Sequence, residues 1–110
     1  MAPDLPPLVQ RTLQRLIAAF APERVVLFGS YAKGTMHPGS DVDLLLVARL
    51  TANRDLQQRR ASQLASDCFP RVDVVLATPA EVAQAGQAKS PFLLSILGTG
   101  IEIYPAPPHR

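Results

Sequence analysis

A single cysteine, Cys68, in 110 residues excludes an internal disulfide and makes a reducing cytosol the natural setting. It falls on the apolar side of a predicted helix with no histidine partner in view, so packing is its expected role. No apolar run follows a basic start, and no stretch reaches the length of a membrane span. Neither a signal peptide nor an anchor is therefore expected. Charge is also sparse: 18% of residues are charged against 47% hydrophobic, the balance of a chain that buries a core. The net charge of +2 arises from scattered basic residues and gives no argument for direct nucleic-acid binding. There is no internal repeat. The length fits one domain over 1–110 with no room for a second core, and residues 1–7 and 105–110 are expected to be loose, proline-containing tails.

What the chain does have is concentrated between Arg24 and Val47, RVVLFGSYAKGTMHPGSDVDLLLV. Arg24 to Phe28 is apolar and β-branched, the composition of a strand buried on both faces. Gly29 ends it where the backbone must bend, and Ser30 is placed to cap a short turn over Tyr31–Lys33. A strand that stops at Gly-Ser and opens a helical turn presents free backbone N–H groups, the geometry that holds phosphate. Tyr31 reads as packing. Lys33 either adds positive charge there or points to solvent, and the loop residue His37 reads as solvated.

A second strand opens with Asp41 and Asp43, directly before Leu44, Leu45, Leu46 and Val47. Aspartate is depleted in strands, and period-two alternation would set both carboxylates on one face, about 6.7 Å apart along the strand. Like charges on a partly desolvated face repel unless a counter-charge meets them. One or two divalent cations would do so, and oxygen ligands suit magnesium. The plain alternative is that both acids merely flank a turn made by Gly39 and Ser40.

Elsewhere the pattern alternates helix and strand. Leu8, Val9, Leu13, Leu16, Ile17 and Phe20 predict an amphipathic helix over Pro7–Phe20, stopped by Pro22. A polar connection leads to a helix from about Asn53 to Cys68, with Ala61, Leu64, Ala65 and Cys68 as its buried stripe; Arg54, Arg59 and Arg60 fall on a solvated face. Arg71–Ala77 reads as a third strand. Thr78, Pro79 and Glu81 then spell a capping box that starts a short helix interrupted at Gly86. Ser90-Pro91 starts another, with its stop at Gly98, and Gly100–Tyr104 reads as an edge strand. Within the third strand Asp73 is an isolated acid among Val72, Val74, Val75 and Leu76. Either it lies on a water-facing edge, or it joins other acids in a site.

Gly29-Ser30, ten intervening residues, then Asp41-Val42-Asp43 resembles the signature of the nucleotidyltransferase superfamily related to DNA polymerase β. GSYAKGTMHPGSDVDLLLV is closer still to the minimal nucleotidyltransferases (MNT), antitoxins often paired with HEPN-domain toxins. The resemblance implies an α/β (α+β) core: a small mixed β-sheet of about four strands with helices packed on it. It implies Asp73 as the third carboxylate on a neighbouring strand, so that Asp41, Asp43 and Asp73 are both the catalytic residues and the ligands of Mg2+, as two ions. Gly29, Ser30 and Lys33 would hold the phosphates of ATP. The implied reaction is transfer of AMP to a tyrosine of the partner toxin. Larger members of the superfamily carry extra acceptor-binding domains, so a chain this short is expected to meet its acceptor in a second protein. An aminoglycoside-type nucleotidyltransferase and a non-catalytic antitoxin that only masks its partner are the alternatives.

Overall fold

A computed structural model describes residues 5–37, 39–50, 53–85 and 91–105. The elements run α1 (Pro7–Phe20), β1 (Arg24–Phe28), α2 (Ser30–Lys33), β2 (Val42–Val47), α3 (Arg54–Leu64), β3 (Val72–Ala77), α4 (Pro79–Ala83), α5 (Pro91–Thr99) and β4 (Ile101–Tyr104). The strands form one mixed sheet in the order β3-β2-β1-β4. β1 is antiparallel to both β2 and β4, and β2 is parallel to β3. A parallel neighbour needs a long crossover, and α3 supplies it.

Alternation along the strands sorts the core into two faces. On one face, Val25, Leu27, Val42, Leu44, Leu46, Val72, Val74 and Leu76 pack with Val9, Leu13 and Leu16 of α1 and with Ala61 of α3. On the other, Val26, Leu45, Val47 and Ala77 pack with Ile96 of α5, flanked by Phe28, Val75, Val82, Leu93 and Leu97. Central strands covered on both sides must be apolar on both sides, which is why residues 25–28 and 44–47 read as unbroken hydrophobic runs. Among the described residues no helix is long and apolar enough to cross a membrane.

Several element ends differ from the sequence expectation, each for a local reason. α3 stops at Leu64 rather than Cys68, because Ser66 turns its hydroxyl and its N–H onto the Gln63 carbonyl. A serine that bonds a nearby carbonyl offers the backbone an exit from the helix. Ala65 and Cys68 still pack against the first face from beyond the helix end. α5 passes through Gly98 and ends at Thr99; the glycine that matters is Gly100, where a Cβ would collide with Val26 and the Ile96 carbonyl. Arg54, Arg59 and Arg60 of α3 are exposed, as expected of a solvated face, and two of them also find partners: Arg54 pairs with Glu81, and the Arg60 guanidinium lies 5.7 Å from the centre of the Phe20 ring. The capping box at Thr78 and Glu81 forms as expected. Gly86, Ser90 and most of the two tails lie outside the described residues.

Candidate active site

The site is assembled at the place where β1 ends and β2 and β3 begin. Phe28, the last residue of β1, pairs with Asp43 across the antiparallel ladder. Asp43 in turn pairs with Asp73 across the parallel one. By parity Asp43 and Asp73 belong to the face of Leu45, Val75 and Ala77. Those apolar neighbours lie one step further along and pack on the α4–α5 side, whereas both acids are only half-buried. Two carboxylates therefore face each other on adjacent strands, at the rim of the covered face.

Asp41 does not open β2, which begins at Val42. Continuing the β1–β2 register would set Asp41 opposite Ser30, where β1 has already given way to α2. With no ladder partner its position is fixed by the preceding turn, in which the Ser40 N–H donates to the His37 carbonyl. Asp43 thus meets the Gly-Ser turn, Asp41 stands just before β2, and Asp73 lies one strand further out.

Gly29 is the N-cap of α2, at φ 75° and ψ −154°, a conformation that is essentially glycine's own. Its carbonyl accepts from the N–H groups of Ala32 and Lys33, so the turn closes through backbone alone. Ser30 is therefore the first helical residue and makes no side-chain cap, contrary to its expected role; its hydroxyl is not used by the turn. A Cβ placed at Gly29 would lie on the Oδ2 oxygen of Asp43. The glycine is what lets the carboxylate close over the turn. Tyr31 packs against the α1 face as expected, Lys33 is exposed in the last turn of α2, and His37 is exposed in the loop.

The electrostatics are those of crowded anions. Burial pushes the Asp43 carboxyl above its ordinary range, and the charges of Asp73 and then Asp41 push it further. Among the described residues one cation pairs with these acids: Arg71 Nε lies 3.4 Å from Asp73 Oδ1, with the arginine well exposed and the aspartate half-exposed. Sequence reasoning did not single out Arg71, although a base two positions from an acid along one strand is a readable signal. As the side chains stand, no three acid, histidine or cysteine groups among the described residues converge within ligating reach of one ion. The donor chemistry nevertheless fits a hard divalent cation: the donors are carboxylate oxygens, and mutual repulsion raises the proton affinity of the central one. Beside Asp73, a cavity of about 370 Å³ runs between α3 and the outer edge of β3, lined in part by Ser62, Ser66 and Arg71. It flanks the acids rather than covering them.

A model of the nucleotidyltransferase domain matches residues 9–94. The chain belongs to that family. The matched span covers β1, the Gly-Ser turn and all three acids. It is the polymerase β-like nucleotidyltransferase fold, and solved structures share it. A suspected nucleotidyltransferase from Sulfolobus solfataricus is 19% identical, with a TM-score of 0.60 over 88% of this chain and 77% of that one. A chain from a toxin–antitoxin complex solved with AMP-PNP is 25% identical, with a TM-score of 0.55 over 86% of this chain and 72% of that one. No curated protein sequence matches significantly.

Proposed function

We propose that this nucleotidyltransferase is a metal-dependent antitoxin that transfers AMP from ATP to a tyrosine of a partner HEPN toxin. The observation that carries the reading is the double juxtaposition of Asp43, which faces Asp73 across the sheet and closes over Gly29 at the turn. Carboxylates for cations and a glycine turn for phosphate are the two halves that nucleotidyl transfer needs. The protein acceptor is supported by the likeness to a chain of a toxin–antitoxin complex that holds AMP-PNP.

Asp41, Asp43 and Asp73 would hold magnesium, which when bound neutralises phosphate charge and lowers the pKa of the acceptor hydroxyl. The backbone N–H groups at Gly29 and Ser30, with the Ser30 hydroxyl, take the terminal phosphates, and Lys33 adds charge from the end of α2. The acceptor oxygen bonds to the α-phosphorus while the bond from that phosphorus to the bridging oxygen breaks, and diphosphate leaves. The half-exposed Asp73 carboxylate takes the hydroxyl proton. Arg71, 3.4 Å from that carboxylate, offsets its negative charge between turnovers.

The decisive experiment mixes the protein with a HEPN-type partner, ATP and magnesium and reads the intact mass of both chains. The partner gains the mass of one or more adenylates, and with Asp73→Asn it binds without gaining it. A partner inhibited at its unmodified mass means masking alone. Adenylylation of an aminoglycoside with no change in the partner means a small-molecule acceptor. Either result refutes the proposal.

A further inference from the structure

Among the described residues the exposed large apolar side chains are Leu8, Met36, Leu56, Phe69, Phe92 and Leu94, so exposure by itself marks no site. What separates Phe92 from the others is its neighbour. Its ring meets that of Phe28 edge to face, with centroids 6.2 Å apart and planes at 89°. Phe28 is the residue before Gly29, and its Cα is the ladder partner of Asp43. The same parity that sets Asp43 on the α4–α5 face sets Phe28 there. An aromatic pair therefore stands directly beside the acids and the Gly-Ser turn.

The roles along α5 divide cleanly. Ile96 is buried, and Leu93 and Leu97 pack on the sheet, so these three residues attach the helix. Phe92 is 56% exposed, an amount of apolar surface left in water that sheet packing does not explain. In an edge-to-face pair one ring retains a face for another partner. The partner that suits a flat ring next to a triphosphate turn is itself flat and aromatic.

We propose that Phe92, held by Phe28, is the stacking platform for the nucleobase of the nucleotide substrate. The inference rests on the nucleotidyltransferase reading of the adjacent acids and goes beyond it by assigning the base subsite. Stacking on an aromatic ring uses the π face that every base has and reads none of its hydrogen-bonding edges. The platform accordingly favours the larger purines over pyrimidines by contact area and separates adenine from guanine only weakly.

The test compares two ligands on one protein, magnesium ATP and magnesium tripolyphosphate, the second lacking any base. Phe92→Ala is expected to weaken ATP binding by about 5- to 100-fold while leaving tripolyphosphate binding within twofold of wild type. The chain contains no tryptophan, so Phe92→Trp both restores the platform and introduces a single reporter. Its emission should be quenched by ATP and GTP, less by UTP, and not by tripolyphosphate. Thermal melting of both variants checks that α5 stays in place. Unchanged ATP affinity in Phe92→Ala, or equal losses for ATP and tripolyphosphate, overturns the base platform and leaves the phosphate and metal assignment standing. A wild-type chain that binds neither ligand overturns both.

Discussion

Asp43 carries the tension of the site at the level of single residues. Its raised pKa means that the folded chain holds the proton more tightly than the unfolded chain does. The associated stabilisation is present below the unfolded carboxyl range and is lost as pH rises through the folded value. Without metal, Asp43→Asn should therefore match wild type in acid and exceed it in stability at neutral pH. Urea titrations at pH 3.5 to 7 check this, and magnesium should shift the wild type but not the variant. The same substitution should abolish transfer. Glu81 works in the opposite sense: the Thr78 N–H bond, and less so Arg54, hold its carboxyl below the usual range, so its contribution fades as pH falls. Gly29→Ala has a different expected outcome from one based on phosphate access alone. The added methyl meets Asp43 before any ligand arrives, and the backbone strain adds about 1–3 kcal/mol, so folding and binding should both suffer. Adding Asp43→Ala should relieve the clash but not the strain, which a double-mutant cycle in denaturant reads directly.

Among the elements, β3 shows why an edge strand can carry the third acid. The carbonyls of Arg71 and Ala77 accept from Val42 and Ala48 on the β2 side, so those of Val74 and Leu76 turn outward. Two side chains from α3 reach them: Gln58 donates to Val74 and Arg54 to Leu76. An open edge invites pairing with another chain, and these side chains blunt it. Gln58→Ala and Arg54→Ala should each lose about 0.5–1.5 kcal/mol, and the double variant should self-associate at concentrations where wild type is monodisperse by light scattering. This element also marks how far the sequence could be read. Its period and the isolated Asp73 were legible because a strand shows its pattern locally. So were α1 and β1, whose ends agree to the residue, and the Thr78 capping box. The edge position of β3 stayed open as one of two readings of Asp73, and its register with β2 was not legible, because ladder partners are chosen by contacts distant in sequence. For the same reason Asp41 read as a strand residue: only the end of β1 at Phe28 shows that it has no partner. Phe28 read as part of a buried strand, Phe92 passed unremarked in the helix started by Ser90-Pro91, and the two stand out only once they meet.

Over the whole molecule, the site belongs to no single element. Gly29 follows β1, Asp41 precedes β2 and Asp43 lies in it, Asp73 lies in β3, and Phe92, the proposed base platform, belongs to α5. The acids and the glycine come from three strands that are neighbours in the sheet, and one antiparallel and one parallel ladder hold them in register. A ligand spanning them is bound only when β1, β2 and β3 are all paired, so its binding energy is added to the stability of the whole fold. Binding confined to the native state at 100 times the dissociation constant contributes about 2.7 kcal/mol. For a domain of this size that raises the thermal midpoint by on the order of 10 °C. Magnesium ATP should produce a shift of that order in wild type. Asp43→Asn should lose most of it while melting at or above the wild-type temperature when no ligand is added. That combination, a more stable protein that its ligand no longer stabilises, distinguishes a site residue from a structural one, because a purely structural acid would lower the unliganded midpoint when replaced. Equal ligand-induced shifts in the two proteins, read by differential scanning calorimetry, would remove Asp43 from the site.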